Sequence, residues 1–560
     1  MPETKITTES NLKTAFAELR LSNPLFDLVD RTLANGVDYK VFKSAPKTMR
    51  DLFEAIPLLH GDFPLILDQG KQFTYSETLS KAKNLANYLS VKGIKPGDRV
   101  GICMQNCAEW IITHLAISGH GATSVPLNSW WQKDELKYGV EHSEVKIVFT
   151  DEKRYEFIKD LSIEKIITSD KHIDGCTNFS KTIEGNIDAW PEKNAEDEDV
   201  NVILYTSGST GMPKGVMLTH LAVINALFGF YTFGELRQII HEEQLLDVEN
   251  ASILLNVPLF HVTGLITQFL LSMLAKRNII LMRKWDATEA LKLIAKHKVT
   301  NLSGVPAQSW DLLNHPDLEK FDLSSLVDIA AGGAARPEDQ VKNLDKKFKI
   351  PQSFAWGMTE TTAIGTLLRG NDYMTRPNSA GLCVPDLTEI KIIDDNWNFL
   401  DTGQIGEMVF KSPTNTIGYL KNHLETEDTI KDGWLRTGDL GFLDKDGYIF
   451  IVDRKKALII RGGENISCLE VENILDKFPG VIESCVCGIY DEKFGEIVGT
   501  YIYTNDQLEV ANIKEFLSDN LAAYKIPEIF KFTNERLPRI ASEKFDRVGI
   551  KEILTTNQND

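Results

Sequence analysis

The sequence predicts an α/β protein with a large sheet-bearing body and a small C-terminal unit, on three observations. Strand-length apolar runs alternate with amphipathic helix patterns from residue 74 to residue 330, which points to mostly parallel sheets with helices on both faces. From residue 387 the apolar period falls to two, as in Glu389-Ile390-Lys391-Ile392 and Glu407-Met408-Val409-Phe410, which predicts an antiparallel sheet or barrel. At Asp453-Arg454-Lys455-Lys456 the composition turns abruptly charged. A capping-box pattern, Ser467-Cys468-Leu469-Glu470, then opens a helix with one apolar face, so a small C-terminal α/β unit begins near Lys455.

Taken in order, residues 1–47 read as a helical N-terminal extension with apolar positions at Leu25, Phe26, Leu28, Val29 and Leu33. A helix follows from Thr74, with Leu79, Ala82, Leu85, Ala86 and Leu89 on one face and Gly93 just past its end. Strands are expected over 100–104, 123–126 and 145–150, with an apolar helix over 110–117. The pattern resumes with strands over 253–257 and 279–282, an amphipathic helix over 287–297, and a strand over 326–330 that runs into Gly332-Gly333. Residues 251–275 hold no acidic or basic side chain, yet Pro258 splits them, so a buried strand, a turn and a core helix are expected in place of a membrane span.

With 560 residues the chain can bury more than one core, and 42% hydrophobic with 25% charged residues is ordinary for a globular protein. A formal net charge of −19 repels nucleic-acid backbones, so no nucleic-acid partner is expected and a phosphate ligand would need local amides, lysines and metal. The seven cysteines make no zinc-spaced ladder and read as reduced thiols of a cytoplasmic protein; the polar N-terminus lacks an export signal.

The chemistry is concentrated at residues 200–220. Val202-Ile203-Leu204-Tyr205 is a buried-strand run that breaks into Thr206-Ser207-Gly208-Ser209-Thr210-Gly211, closed by Pro213-Lys214-Gly215. Glycines let successive amide N–H groups converge, hydroxyls add donors and Lys214 adds a charge, which together describe a polyphosphate cradle. Pro213 and Gly215 stand where a Walker loop needs glycine and serine or threonine, so a P-loop NTPase fits poorly.

This segment, TSGSTGMPKG, resembles the phosphate-binding signature of the adenylate-forming (AMP-dependent synthetase/ligase) enzymes; the resemblance covers almost the whole chain from about Met49, and Asn128-Ser129-Trp130-Trp131 is similar to bacterial fatty-acyl-CoA synthetases. It implies a large N-terminal domain (48–454) of two layered α/β subdomains plus an antiparallel β-barrel-like subdomain. A small mobile C-terminal α+β lid (455–560) would follow. It further implies nucleotide binding by Thr206, Ser207, Gly208, Ser209, Thr210, Gly211 and Lys214, by Gly333 and Ala334 in AGGAAR, and by Trp356, Gly357, Met358 and Thr359 in WGMTE. Glu360 and Thr206 would hold Mg²⁺. Asp439 in RTGDLG and Arg454 would hold the ribose, Lys456 would be the hinge, and Arg461, Gly462 and Gly463 would face coenzyme A. Lys544 in the C-terminal motif and His261 in PLFHVTG would be catalytic, together with Glu360 and Thr206; the glycine usual before that lysine is replaced by Glu543.

The implied activity is an ATP- and Mg²⁺-dependent ligation of a carboxylic acid to CoA through acyl-AMP. The apolar candidate pocket segments 228–233, 261–265 and 304–310 suit a medium or long fatty acid. Aryl-CoA ligation, loading of a carrier protein, and an inactive nucleotide-binding partner stay open as alternatives, as do a homodimer and peripheral membrane association.

Overall fold

The computed structural model describes residues 7–169, 171–192, 195–206, 213–241, 251–333, 336, 338–455, 458–461, 464–540 and 544–556. Among the described residues, an eight-stranded and a nine-stranded sheet form the body. In the first, the strand Val200–Thr206 runs parallel to Thr123–Pro126 and antiparallel to Lys214–Thr219, with Thr206 opposite Lys214. In the second, Pro64–Asp68, Asn278–Leu281, Ser252–Leu255, Asn301–Gly304, Asp328–Gly332 and Gln352–Trp356 run parallel, and Thr366–Arg369 pairs antiparallel. Strands such as Ser252–Leu255 are buried on both faces, which is why they read as unbroken apolar runs. The helix Ala108–His120 touches strands of both sheets and is buried along almost its whole length. A helix apolar all round belongs in such an interior layer.

The period-two segments pair as expected: Glu389–Ile393, Gly406–Lys411, Trp434–Leu443 and Ile449–Arg454 make an antiparallel sheet. A second small sheet, built on Ile459–Arg461, Glu483–Asp491, Gly495–Tyr503 and Ile529–Thr533, forms the C-terminal unit. There the helix Cys468–Leu475 starts at Ser467, whose hydroxyl accepts the Glu470 amide at 3.0 Å. Only half of the expected capping box forms, because the Glu470 carboxylate goes to Lys525 at 2.7 Å. Glu472 is buried beneath the helix against Arg547 at 2.8 Å.

The extension differs from its helical expectation. Glu9–Ser22 is a helix, but Pro24 opens a single turn, and Leu28–Thr32 and Asp38–Phe42 pair as an antiparallel hairpin. Alternate residues along Asp38–Phe42 face the core, a pattern of period two that a helix cannot satisfy. Phe16 and Phe26 are fully buried, and Tyr448 donates its hydroxyl to the Thr7 carbonyl at 2.8 Å, tying the extension to the antiparallel sheet. Residues 251–275 fold as the strand Ser252–Leu255, a turn, a π-helical stretch Thr263–Leu270 and the helix Leu271–Leu274. Among the described residues no helix is long and apolar enough to cross a membrane.

Candidate active site

The C-terminal ends of the nine-stranded sheet, the end of Val200–Thr206 and the C-terminal unit enclose one cavity of about 1360 Å³. Its lining includes Thr206, His261, Gly333, Gly357, Met358, Thr359, Glu360, Arg454 and Lys544, so nine residues predicted from sequence meet in one place. Open parallel sheets bind ligands at this edge because the strand-to-helix turns there are free to diverge.

The turn after Gln352–Trp356 is shaped by Gly357, where an added Cβ would lie 2.0 Å from the Ala363 carbonyl oxygen. Thr362 and Ala363 hold positive φ angles of 56° and 65° and double the chain back, with the Thr362 hydroxyl donating to the Thr414 carbonyl at 2.6 Å. Such left-handed non-glycine residues are rare and cost energy, which the surrounding packing supplies. Thr359 thus begins a single 3₁₀ turn, Thr359–Thr361, and Glu360 is buried at the cavity wall. Tyr419 donates its hydroxyl to Glu360 Oε1 at 3.0 Å.

Four charged groups converge. Arg454 Nε reaches Asp439 Oδ1 at 2.6 Å, and Trp356 Nε1 donates to Asp439 Oδ2 at 2.8 Å, so Asp439 and Trp356 sit behind Arg454. Lys544 Cε lies 3.6 Å from the position a Cβ would take on Gly333. Burial drives the Lys544 ammonium down to about 8, Arg454 adds to that, and Asp439 and Glu360 oppose it. Burial raises the carboxyls of Glu360 and Asp439, against the pull of Arg454 and Lys544. His261 is pushed down to about 4 by burial and by Lys544, so it is neutral at physiological pH.

Lys214 stands opposite Thr206 but turns to Glu425, with which it makes a close ion pair, and sits 5.5 Å from the Tyr419 ring centroid. Arg461 stays within the C-terminal unit, donating to the Tyr524 carbonyl at 2.7 Å and pairing with Glu528. Ser207, Gly208, Ser209, Thr210, Gly211, Ala334, Lys456, Gly462, Gly463 and Glu543 lie outside the described residues. Sequence reading missed Tyr419 and Glu425, whose partners Glu360 and Lys214 are 59 and 211 residues away; no local pattern marks either.

The charges decide what the site can hold. Lys544 and Arg454 are offset by Glu360 and Asp439, and Lys214 by Glu425, so these described residues supply no surplus positive charge at the phosphate end for a triphosphate. A divalent cation brought with the nucleotide fits this deficit, and Glu360 with the Thr206 and Thr359 hydroxyls offers oxygen donors. Mg²⁺ is commonly held by one or two carboxylates plus phosphate oxygens, a donor set that Glu360 and a bound nucleotide would supply.

The AMP-binding enzyme family matches residues 53–420 and the AMP-binding enzyme C-terminal domain matches residues 470–544. The long-chain-fatty-acid–CoA ligase of Bacillus subtilis is 29% identical over 553 residues, spanning 92% of this chain and 96% of that protein. The 4-coumarate–CoA ligase 1 of Petroselinum crispum is 30% identical across 86% of this chain and 89% of its own. Among solved structures, the O-succinylbenzoate coenzyme A synthetase of Bacillus subtilis in complex with ATP and magnesium ion superposes with a TM-score of 0.75 at 27% identity, covering 89% of this chain and 98% of that one.

Proposed function

Since the chain belongs to the AMP-binding enzyme family, we propose that it activates a medium- or long-chain aliphatic carboxylic acid as the acyl-adenylate and transfers the acyl group to CoA. Acid–CoA ligation through acyl-AMP is the activity common to the relatives, and ATP, Mg²⁺ and CoA are its reactants and metal. The observation that supports an aliphatic acid is the lining of the cavity. Besides His261 it includes Phe230, Phe260, Leu271, Leu302 and Leu367, apolar side chains against which a chain of methylenes can lie.

In this reading the acid enters with its carboxylate toward His261 and Lys544. A carboxylate oxygen attacks the α-phosphorus in line with the departing pyrophosphate, the bond to the bridging oxygen breaks, and acyl-AMP forms. Lys544 neutralises charge where carboxylate and α-phosphate meet, and Thr206 and Thr359 donate hydroxyl hydrogens to phosphate oxygens. Bound at Glu360, Mg²⁺ would supply charge neutralisation of the phosphates. Neutral His261 lines the carboxylate end without adding a competing charge. Asp439 and Arg454 hold the ribose side. In the second step the CoA thiolate attacks the acyl carbon, AMP leaves, and the thiol proton passes to solvent. Lys456 is the proposed hinge that brings Arg461, Gly462 and Gly463 to the thiol in place of Lys544.

The test is thioester formation across straight-chain acids of increasing length alongside benzoate- and cinnamate-type acids. A higher kcat/KM for aliphatic acids is expected, and better turnover of the aromatic acids would overturn the aliphatic reading.

A further inference from the structure

The far end of the cavity is not apolar. Asp328 and Gly333 both line it, at opposite ends of one strand, and five residues at ~3.3 Å each put them roughly 16 Å apart. At the Asp328 end stand Arg277 and Arg369. Arg369 is already satisfied: it pairs with Asp328 at 2.8 Å, and Ser353 donates its hydroxyl to the same carboxylate at 2.9 Å. Arg277 is different. It is half-buried on the cavity lining, close to Asp328 and Arg369, and among the described residues no hydrogen bond or ion pair holds its guanidinium.

Asp328 is paired with Arg369, so among the described residues at this end Arg277 adds a positive charge beside a neutral pair. Glu235 also lines the cavity, its carboxyl raised by burial, but among the described residues no ion pair joins it to Arg277. A half-buried guanidinium that lines a cavity without a protein partner is free to take a ligand anion, and an arginine fork is shaped for a carboxylate. The backbone fixes it there: the Arg277 amide donates to the Ser272 carbonyl at 2.9 Å, closing the helix Leu271–Leu274 against the cavity wall. A chain of methylenes would meet this charge with its methyl end, which gains nothing from it.

We propose that the acid activated here carries a second carboxylate at the far end of an apolar chain, and that Arg277 binds that distal carboxylate. This rests on the acid–CoA ligase reading and narrows its substrate class. The reacting carboxylate lies at Lys544 and His261, the spacer between Leu271, Leu302 and Leu367, and the distal carboxylate on the Arg277 fork beside the Asp328–Arg369 pair.

The test compares, at each chain length, the α,ω-dicarboxylic acid with the monocarboxylic acid, reading pyrophosphate release and CoA-thioester formation. The dicarboxylate preference should appear only once the spacer is long enough to reach Arg277, and there exceed about tenfold in kcat/KM, as a charge-assisted contact warrants. Arg277→Met should lower kcat/KM for the dicarboxylate about tenfold or more while raising it for the monocarboxylate, whose methyl end then meets an apolar wall. A misfolded variant would lose both; Arg277→Lys, which keeps the charge without the fork, should then give a smaller fall for the dicarboxylate alone. Monocarboxylates turned over equally well or better at every length, or an unchanged ratio in Arg277→Met, would overturn the proposal and leave the ligase standing. Absence of turnover with every acid would remove the ligase reading and the proposal with it.

Discussion

Replacing Lys544 with alanine separates the two half-reactions. In the free protein the ammonium is disfavoured: a fall from 10.5 to about 8 is worth about 3 kcal/mol. That cost is reversed when anionic phosphate and carboxylate enter, so the lysine contributes where charge gathers during adenylation. Lys544→Ala should therefore slow pyrophosphate release from acid and Mg·ATP by about 10²–10³-fold, the usual loss for one preorganised donor. Thioester formation from supplied acyl-AMP and CoA should stay within a few-fold, because under the proposed hinge motion Lys544 leaves the site before that step. Thermal stability without ligand should not fall, since a charge that burial disfavours has been removed. Equal loss of both half-reactions, or loss of neither, would refute the reasoning.

Four further outcomes follow from the same geometry. Adenylation kcat/KM should fall as pH rises through about 8, as Lys544 loses its proton, with no limb near 6.5 because His261 stays neutral down to about 4. Over the same range the unfolded chain, with its lysine at 10.5, binds more protons than the folded one, so this group's contribution to stability rises with pH while activity falls; melting and rate profiles measured together check the opposite signs. Glu360→Gln should reduce adenylation by about 10²-fold and raise the Mg²⁺ needed for half-maximal rate, without lowering the melting temperature, because burial already disfavours the charged form. Gly264→Ala should destabilise by about 1–3 kcal/mol in chemical denaturation and raise KM for the acid, since the new Cβ would lie 2.2 Å from the Pro258 carbonyl oxygen in the segment that carries His261.

Much of the architecture could be read without coordinates, because local patterns encode it. The amphipathic helix expected over 287–297 is Ala287–His297, and the strand before the glycine and hydroxyl loop is Val200–Thr206. The N-terminal hairpin was misread because Leu25, Phe26, Leu28, Val29 and Leu33 fit a helical spacing as well as a turn followed by a strand, and only Pro24 warned otherwise. The pairing of Lys214 with Glu425 and the bond from Tyr419 to Glu360 join segments far apart in sequence, which leave no periodic trace. Arg277 was equally silent, as a basic residue after a helix is usually a solvated end; its place on the cavity lining beside Asp328 and Arg369 distinguishes it.

The most direct measurement is a single turnover without CoA, with protein in excess over acid and Mg·ATP present, followed by mass analysis of the small molecules. Acyl-AMP and pyrophosphate in equal amounts, with the adenylate consumed on later addition of CoA, is the predicted result. Release of ADP and phosphate, or no reaction of ATP until CoA is present, would contradict it.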